Sequence, residues 1–317
     1  MSAKYRLAAV VFASLLMASC AGGDEDWGSF RVVSEKKTVY ERPSSTSAVA
    51  GELSFGAEAR CSEKGLNNAI TKGWLRVKSG KVSGFMEKGG IGEEGLFREM
   101  DNLFEEAKEA AAQATGETGR RVPLLLEPES GAHQIDMLKE PTKVDILGRV
   151  VAGESDKGGG RRQTWYKIRL ANGRAGFILK RQLRLTPPPE LNAYTQVRTP
   201  VSWQGLGENV DPESGASGWD YIVTYESVGQ DIDTDFTRFE LYTFDPATKQ
   251  YGTALAKGGL DGILPVEVSD GEGGGKVIEI RHHPKGDKGR IATMSYSYPK
   301  PIKLLGEKTA ADGGEQH

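Results

Sequence analysis

Apolar and polar residues alternate in short runs through most of this chain, and turn residues separate the runs. A period of two places successive side chains on opposite faces of the backbone, so the pattern predicts half-buried β-strands. Closely spaced short strands are typical of a small barrel or sandwich. The runs in the first third of the chain are Phe30–Val33, Thr38–Tyr40, Leu53–Phe55, Ala57–Cys61, Gly73–Val77 and Val82–Met86.

One segment changes from a period of two to a helical period. Apolar residues recur at steps of three and four between Leu96 and Ala114, while acidic residues take most of the other positions. The pattern predicts an amphipathic connecting helix over residues 95–116, which Gly116 would stop. We expect its apolar stripe to pack on one or both neighbouring β modules. The alternative is a membrane or partner surface, but anionic lipid would repel the acidic face.

A short pattern occurs twice in the chain. In the stretches Trp74–Phe85 and Trp165–Phe177, a strand begins at Trp, a turn follows, and a Gly-Phe pair opens the next strand. The hairpin after each Trp has nearly the same length, whereas the loops before it differ. The sequence therefore predicts two copies of one module, over residues 30–92 and 119–186, with the loops Leu66–Lys72 and Ala152–Arg162 as insertions.

The first copy resembles a known small domain. Its opening strand ends in Tyr40-Glu41-Arg42-Pro43, a Ser-rich loop and glycines follow, and the Trp74 and Phe85 strands come later. This order resembles the bacterial SH3 domain, although Phe85 stands where that family more often has Trp. The resemblance implies two small barrels that bind peptidoglycan peptides or extended protein segments.

The same resemblance implies a binding surface between the opening loop and the distal loop of each module. The residues at these positions are Tyr40, Arg42, Trp74, Phe85, Glu127, Trp165, Tyr166 and Phe177. The alternative for the aromatic residues is a core role, because small barrels need large apolar side chains for stability.

A Pro-rich stretch over residues 187–193 is predicted to be a stiff linker at a domain boundary. Beyond it, hairpin signals predict an antiparallel meander over residues 194–306 that closes into a sandwich or barrel, and a polar, disordered tail over 307–317. The strands predicted in this third region are Trp219–Tyr225, Thr237–Phe244, Gln250–Ala256, Gly262–Val268, Lys276–His282 and Arg290–Tyr298.

The predicted fold class follows from these three regions. It is mainly β, with two small SH3-like barrels joined by one amphipathic helix, plus a C-terminal antiparallel β sandwich or barrel.

The N-terminus carries an export signal. Lys4 and Arg6 precede the apolar run Leu7–Met17, which is too short for a permanent membrane span of roughly 20 residues. The small residues before Cys20 resemble the bacterial lipobox, although Met17 stands where Leu is most common. The resemblance implies a signal peptide over residues 1–19 and a diacylated Cys20. The alternative is simple cleavage that leaves Cys20 unmodified.

Residues 20–29 are small and acidic, and they are predicted to be a tether between the lipid and the first module. Because no Asp follows Cys20 directly, the lipoprotein resemblance implies an exported protein anchored at the periplasmic face of the outer membrane. If Cys20 is acylated, Cys61 is the remaining thiol. No intrachain disulfide could then form, and we expect Cys61 to be buried and inert.

Charge argues against nucleic acid as a partner. The chain has 41 Lys and Arg against 44 Asp and Glu, for a net charge of -3. Removal of Lys4 and Arg6 with the signal peptide leaves 39 basic residues, and 39 minus 44 gives -5. Nucleic-acid binding would require a basic face.

The candidate catalytic and metal-binding groups favour no chemistry. Asp231, Asp233 and Asp235 alternate as in a calcium loop, but the required Gly and Glu are missing, so a solvated turn is predicted. His282 and His283 would point to opposite faces of a strand. A surface role is expected for both, and also for His133 and His317.

Two further patterns are also read as non-catalytic. Gly158–Gly160 precede a strand rather than a helix, so they do not predict a phosphate site. No Ser lies in a strand-to-helix elbow between glycines. We therefore expect neither catalysis, nor a cofactor, nor a bound metal.

The sequence predicts a lipid-anchored cell-envelope binding protein that recognises peptidoglycan or an envelope protein through its tandem modules. One alternative is a structural subunit or spacer of an envelope assembly. Another is a cell-wall hydrolase whose activity lies in the C-terminal domain.

Overall fold

The computed structural model describes residues 27–63, 66, 72–152, 162–195, 197–271, 274–299 and 301–311. The predictions for the signal peptide, for Cys20 and for most of the tether lie outside these residues, as do those for most of both insertions. The described chain is mainly β and contains three seven-stranded antiparallel sheets, so the predicted mainly β class is confirmed. Within the described residues each sheet is an open series of strands, so the predicted closure into barrels is not observed. Of the described residues, those from 27 to 102 form one compact unit, and those from 103 onward form a second.

The first sheet has seven strands, of which six were predicted to within four residues and the short last one, Ile91–Gly92, was not predicted. Its members are β1 Gly28–Val32, β2 Lys36–Tyr40, β3 Val49–Ser54, β4 Glu58–Ser62, β5 Trp74–Ser79, β6 Val82–Glu87 and β7 Ile91–Gly92. Their order in the sheet is β3-β2-β6-β5-β4-β1-β7. The inward-facing residues form one apolar core that includes Val39, Val77 and Met86, and the Cys61 thiol is buried in it as expected.

Helix α1 spans Glu94–Glu109, so it ends earlier than the predicted range of 95–116. The predicted helical residues Ala114–Gly116 instead belong to a strand that pairs with two neighbours. Ala is compatible with a helix, but these paired backbone hydrogen bonds outweigh that local preference. The apolar stripe of α1 is buried at Met100, Leu103, Phe104 and Ala107, so it is not an exposed membrane or partner surface.

The second sheet has the same topology as the first. Its strands are β8 Ala114–Thr118, β9 Val122–Leu125, β10 Gln134–Leu138, β11 Lys143–Ala152, β12 Gln163–Leu170, β13 Ala175–Leu179 and β14 Leu183–Leu185. Their order is β10-β9-β13-β12-β11-β8-β14, which matches the first sheet strand for strand. The repeat predicted from the Trp hairpins is therefore confirmed, and the second copy begins at residue 114 rather than 119.

The repeated Gly-Phe pair has a structural reason. Tyr40 of β2 pairs with Phe85 of β6, and Leu125 of β9 pairs with Phe177 of β13, at equivalent crossings of strands. At each crossing the preceding glycine, Gly84 or Gly176, lies against the facing backbone, which leaves no room for a Cβ. Glycine is required where one backbone approaches another this closely.

The third sheet is the antiparallel meander that the hairpin signals predicted. Its strands are β15 Thr199–Val210, β16 Ser217–Glu226, β17 Phe236–Asp245, β18 Gln250–Asp270, β19 Lys276–His283, β20 Arg290–Tyr298 and β21 Lys303–Ala311, in sequence order. β18 joins two predicted strands into one, because its first half pairs with β17 and its second half with β19. The apolar core of the third sheet includes Phe236, Phe239, Ile278 and Met294.

The C-terminal tail is partly ordered. β21 extends through Ala311 and pairs with β20 from Arg290 to Ser297, so the prediction of disorder is wrong for residues 307–311. Backbone pairing along an edge strand orders this segment even though the side chains of residues 307–310 are exposed. Residues 312–317 lie outside the described part of the chain.

The Pro-rich stretch is not a linker between independent domains. It forms a short 3₁₀ turn, Pro189–Leu191, followed by the single-turn helix α2, Asn192–Thr195. Leu191 is fully buried, and Tyr221 donates a hydrogen bond to the Glu190 carboxylate at 2.6 Å. The segment is therefore packed on the third sheet, and the second and third sheets belong to one compact unit.

Gln113 also connects the second sheet to the third. Its side chain donates to the Val266 carbonyl at 3.2 Å and accepts from the Val266 N–H at 2.8 Å, while its own carbonyl accepts from the Trp203 N–H at 2.8 Å. The residue is buried, so these bonds replace hydrogen bonds to water that the groups could not otherwise make.

Candidate functional site

An aromatic cluster lies where strands β2, β5 and β6 of the first sheet meet. The Tyr40 and Trp74 rings form an edge-on pair with centroids 5.7 Å apart, and Tyr40 is the register partner of Phe85. The Arg76 guanidinium lies over the Phe85 ring at 5.7 Å. We call Tyr40, Trp74, Arg76 and Phe85 the Tyr40 surface.

The Tyr40 surface is partly open to solvent. Trp74 is buried at 9% exposure, whereas Tyr40 and Phe85 are half-buried and Arg76 is exposed. Rings in this position combine a packed inner face with an accessible outer face, which suits recognition of a partner with apolar and polar groups. Four sequence-predicted candidates lie in this sheet, and three of them, Tyr40, Trp74 and Phe85, are brought together.

Arg42, the fourth candidate, is exposed in the turn that follows β2. The turn is held by a hydrogen bond from the Glu41 N–H to the Ala48 carbonyl at 2.9 Å. Its Ser47 hydroxyl accepts from the Arg42 N–H at 3.1 Å. Arg76 was not predicted, although its position two residues after Trp74 in an alternating strand places it beside Phe85.

The equivalent surface of the second sheet is different. Leu125 takes the place of Tyr40, and Trp165 is only 2% exposed. Lys167 takes the place of Arg76, and its ammonium group pairs with Glu106 at 2.9 Å rather than remaining available. Trp165 is therefore a core residue, which was the alternative to a binding role, while Phe177 is half-buried.

The remaining two candidates of the second sheet, Glu127 and Tyr166, differ in their exposure to solvent. Glu127 is exposed, beyond the end of β9. Tyr166 is 1% exposed, and its hydroxyl is buried without a hydrogen-bond partner. Burial of this side chain raises the pKa of Tyr166, so the hydroxyl remains protonated. Tyr166 therefore lies on the side of β12 opposite to Lys167 and contributes to packing.

Tyr166 also lines an open pocket of about 620 Å³ beside strands β14 and β15. An ion pair between Lys180 and Glu226, at 2.5 Å, crosses this pocket. Its surface is mainly apolar, with Leu183, Leu185 and Pro200 among the lining residues. Lys180 and Glu226 satisfy each other, and the exposed Arg181 also lines the pocket.

The alternating aspartates are ion-paired and do not form a cation site. Asp231 pairs with Lys288 at 2.5 Å, and two nitrogens of Arg162 contact the Asp233 carboxylate. These hydrogen bonds lower the pKa of Asp231 and the pKa of Asp233. The predicted turn before Phe236 is present, and Asp231 and Asp233 are exposed in it as well as paired with basic side chains.

Asp235 is buried together with Arg149 from β11. The two side chains are 9% and 4% exposed, and Arg149 also donates to the Ile232 carbonyl at 2.7 Å. Asp235 accepts a further bond from the Leu264 N–H at 2.7 Å. Burial raises the pKa of Asp235, while Arg149 acts in the opposite direction. This pair joins the second sheet to the third, and no local sequence pattern indicates it.

The predicted alternation of the two adjacent histidines is confirmed, but the predicted surface role is not confirmed for both. His282 and His283 lie at the end of β19 with opposite orientations, as expected. His282 is buried beside the core positions Ile278 and Ile280, so its predicted surface role is wrong. Its ring nitrogen lies 3.3 Å from Glu307 on β21. Within the described residues, no group of three or more His, Cys, Asp or Glu side chains is arranged to hold a metal ion.

Glu240 is a buried carboxylate of the third sheet that is paired with two arginines. Glu240 is 3% exposed and accepts from Arg238 at 2.5 Å and from Arg198 at 3.0 Å. The Tyr242 hydroxyl also donates to it, and burial together with this bond raises the pKa of Tyr242. Paired with two arginines, Glu240 is a compensated buried charge.

No helix in the described part of the chain combines the length and apolar character that a membrane span requires.

Comparisons with known proteins leave the family open. No protein-family model matches the chain, and no curated protein matches it. Among solved structures, NlpC2 from Trichomonas vaginalis is 11% identical, with a TM-score of 0.18, over 89% of this chain and 97% of that one. NlpC1 from the same organism is also 11% identical, with a TM-score of 0.18, over 92% and 95% of the two chains.

Proposed function

We propose that this protein is a non-catalytic, lipid-anchored recognition protein of the cell envelope, whose Tyr40 surface binds an extended peptide segment. The observation that carries the proposal is the pair of half-buried rings Tyr40 and Phe85, packed on the buried Trp74 and beside the exposed Arg76 on the first sheet. The resemblance of the same residues to the bacterial SH3 domain supports it.

The chemistry of the surface favours a peptide that carries a carboxylate. Tyr40 and Phe85 offer apolar ring area at a low cost in conformational entropy, since each side chain has two rotatable bonds. Arg76 and Arg42 are exposed and contribute positive charge on or close to the rings. An arginine can bind a carboxylate through two parallel hydrogen bonds. The stem peptides of peptidoglycan and the extended segments of envelope proteins both have this chemistry.

The two copies of the module would have different tasks. The first copy retains open aromatic rings, whereas Trp165 is enclosed and Lys167 is paired with Glu106 in the second. The second copy also shares Gln113, Arg149 and Lys180 contacts with the third sheet. We infer that the first copy recognises the ligand and that the second has a structural role. The N-terminal pattern ending at Cys20 would place both in the envelope.

Sedimentation with purified peptidoglycan sacculi tests this proposal. We expect the wild-type chain to sediment with sacculi, and Phe85→Ala and Tyr40→Ala to reduce the bound fraction about fivefold or more, as for aromatic residues central to an interface. Phe177→Ala, at the equivalent position of the second sheet, is the matched control and should bind like the wild type. Circular dichroism and thermal unfolding establish that each variant is folded.

The outcomes separate the versions of the proposal. If the wild-type chain does not sediment, the peptidoglycan version is wrong. If Phe177→Ala loses as much binding as Phe85→Ala, the assignment to the first sheet is wrong. Retained binding by folded Phe85→Ala and Tyr40→Ala would show that the Tyr40 surface is not the binding site.

A further inference from the structure

Trp219 is exposed on the third sheet, and its ring lies against the backbone of the neighbouring strand β15. It lies in β16 opposite Glu208 of β15, and 47% of its surface is accessible. Gly205 of β15 provides the space for the indole, because a Cβ at residue 205 would lie 2.9 Å from the ring. A large aromatic side chain supported by the backbone and open to solvent is typical of a binding surface.

A second aromatic wall stands beside Trp219. Phe244 and Tyr251 are register partners in β17 and β18, and their ring centroids are 5.3 Å apart. Gly218 provides the space for Phe244, since a Cβ there would lie 2.5 Å from its ring. Tyr251 also packs near Tyr221, with centroids 6.4 Å apart. These contacts pack the rings of the aromatic wall against one another.

Together these residues form a groove of about 500 Å³, a size common for small-molecule sites. We call it the Trp219 groove. Its lining residues are Glu190, Glu208, Ser217, Gly218, Trp219, Phe244, Lys249 and Tyr251.

The polar residues of the Trp219 groove include both donors and acceptors. Glu190 is oriented by the Tyr221 hydroxyl at 2.6 Å, and Glu208 is exposed on β15. Lys249 lies at the tip of the β17–β18 turn, where a φ of 56° fixes the backbone in the left-handed region. Carboxylates accept hydrogen bonds, an ammonium group donates them, and the Ser217 hydroxyl does both.

This combination matches the chemistry of a sugar. A pyranose ring has a C–H face that can stack on an indole, and hydroxyls at its edge that both donate and accept hydrogen bonds. A cationic ligand would also favour aromatic rings and carboxylates, but Lys249 in the same groove would repel it. A free anion would be repelled by Glu190 and Glu208.

We propose that the Trp219 groove binds a neutral oligosaccharide, with one pyranose ring stacked on Trp219 and its hydroxyls bonded to Glu208 and Lys249. This site is separate in residues from the Tyr40 surface, and it does not depend on the peptide-binding function proposed above.

Isothermal titration calorimetry of the full mature chain with two soluble probes, chitotetraose and cellotetraose, tests the proposal. We expect saturable binding of at least one probe, and an affinity about tenfold or more weaker in Trp219→Ala. Glu208→Gln should weaken binding by a smaller factor, because it retains one acceptor. Leu305→Ala is the matched control: Leu305 is 58% exposed on β21 of the same sheet and lies outside the groove.

The proposal is overturned if neither probe binds the wild-type chain, or if folded Trp219→Ala binds as tightly as the wild type. Tetramethylammonium chloride serves as a cationic probe in the same assay. Binding of tetramethylammonium that depends on Trp219, in the absence of oligosaccharide binding, would replace the glycan by a cationic ligand. Thermal unfolding of each variant confirms that losses of affinity are not losses of folding.

Discussion

Gly176 of β13 lies against the backbone carbonyl of Leu125 in β9, so close that a Cβ on residue 176 would stand 2.7 Å from that oxygen. The same relationship joins Gly84 to the Tyr40 carbonyl in the first sheet. The glycine of the repeated Gly-Phe pair therefore permits the strand crossing on which both sheets depend, and it aligns Phe85 with Tyr40.

Gly176→Ala should destabilise the second unit by about 1–3 kcal/mol, because the added methyl group can be accommodated only by moving the backbone. Gly252→Ala is the matched control, since Gly252 lies in β18 with no atom near the position of its Cβ and should change stability by less than about 0.5 kcal/mol. Urea unfolding measures both. Equal stability of the two variants would contradict the steric argument.

Arg149→Met should lower the free energy of unfolding by about 3–5 kcal/mol, because it leaves the buried Asp235 carboxylate without its charged partner. Arg162→Met removes a neighbouring pair whose side chains are 45% and 39% exposed, and it should cost no more than about 1 kcal/mol. Guanidinium unfolding of the two variants compares a buried with an exposed ion pair. The explanation fails if Arg162→Met is the more destabilising change.

Arg169→Ala should loosen the last turn of α1. The Arg169 guanidinium donates to the carbonyls of Ala107 at 2.6 Å and Ala110 at 3.0 Å, and it pairs with Asp145 at 2.8 Å. These are bonds to carbonyls at the C-terminal end of a helix, where a cation is also favourable. We expect a loss of about 1–2 kcal/mol and faster amide hydrogen exchange at the end of α1.

Arg184→Ala is the control for this experiment, because Arg184 is 77% exposed and its pair with Glu117 should contribute little. If hydrogen exchange in α1 responds equally to both substitutions, Arg169 does not cap the helix.

Acid should remove the stabilising effect of the Arg162–Asp233 pair. The hydrogen bond from Arg162 lowers the pKa of Asp233 below its ordinary value near 4. A carboxylate with a lowered folded-state pKa contributes stability above its unfolded pKa and loses that contribution as pH falls through the folded pKa. The difference in unfolding free energy between wild type and Asp233→Asn should therefore be small but measurable near neutral pH, and it should shrink below about pH 4. A difference that grows as pH falls would contradict the assignment.

Much of the strand pattern could be predicted because its causes are local. Alternating side chains and turn residues act over a few positions, so β5, β6, β16 and β20 were predicted within two residues of their ends. Candidate binding residues were predicted less well, since Trp165 and Trp74 have the same sequence context but different surroundings. Arg76 was not predicted as a binding residue, because no sequence motif distinguishes it from other exposed strand residues.

Two kinds of error had a physical cause beyond the local sequence. Apolar steps of three and four residues extend the predicted helix towards Gly116, whereas pairing with β11 and β14 makes Ala114 part of a strand. Two separate strands, Gln250–Ala256 and Gly262–Val268, are predicted where pairing on both sides keeps β18 continuous.

The sequence by itself determined that the chain is mainly β, that one module occurs twice, and that a single amphipathic helix lies between the copies. Only the tertiary structure decided that the Pro-rich stretch packs on the third sheet, that Arg149 meets Asp235, and that the two copies have different surfaces. These relationships join residues far apart in the chain, and they depend on which faces become buried when the sheets pack, which a local pattern does not specify.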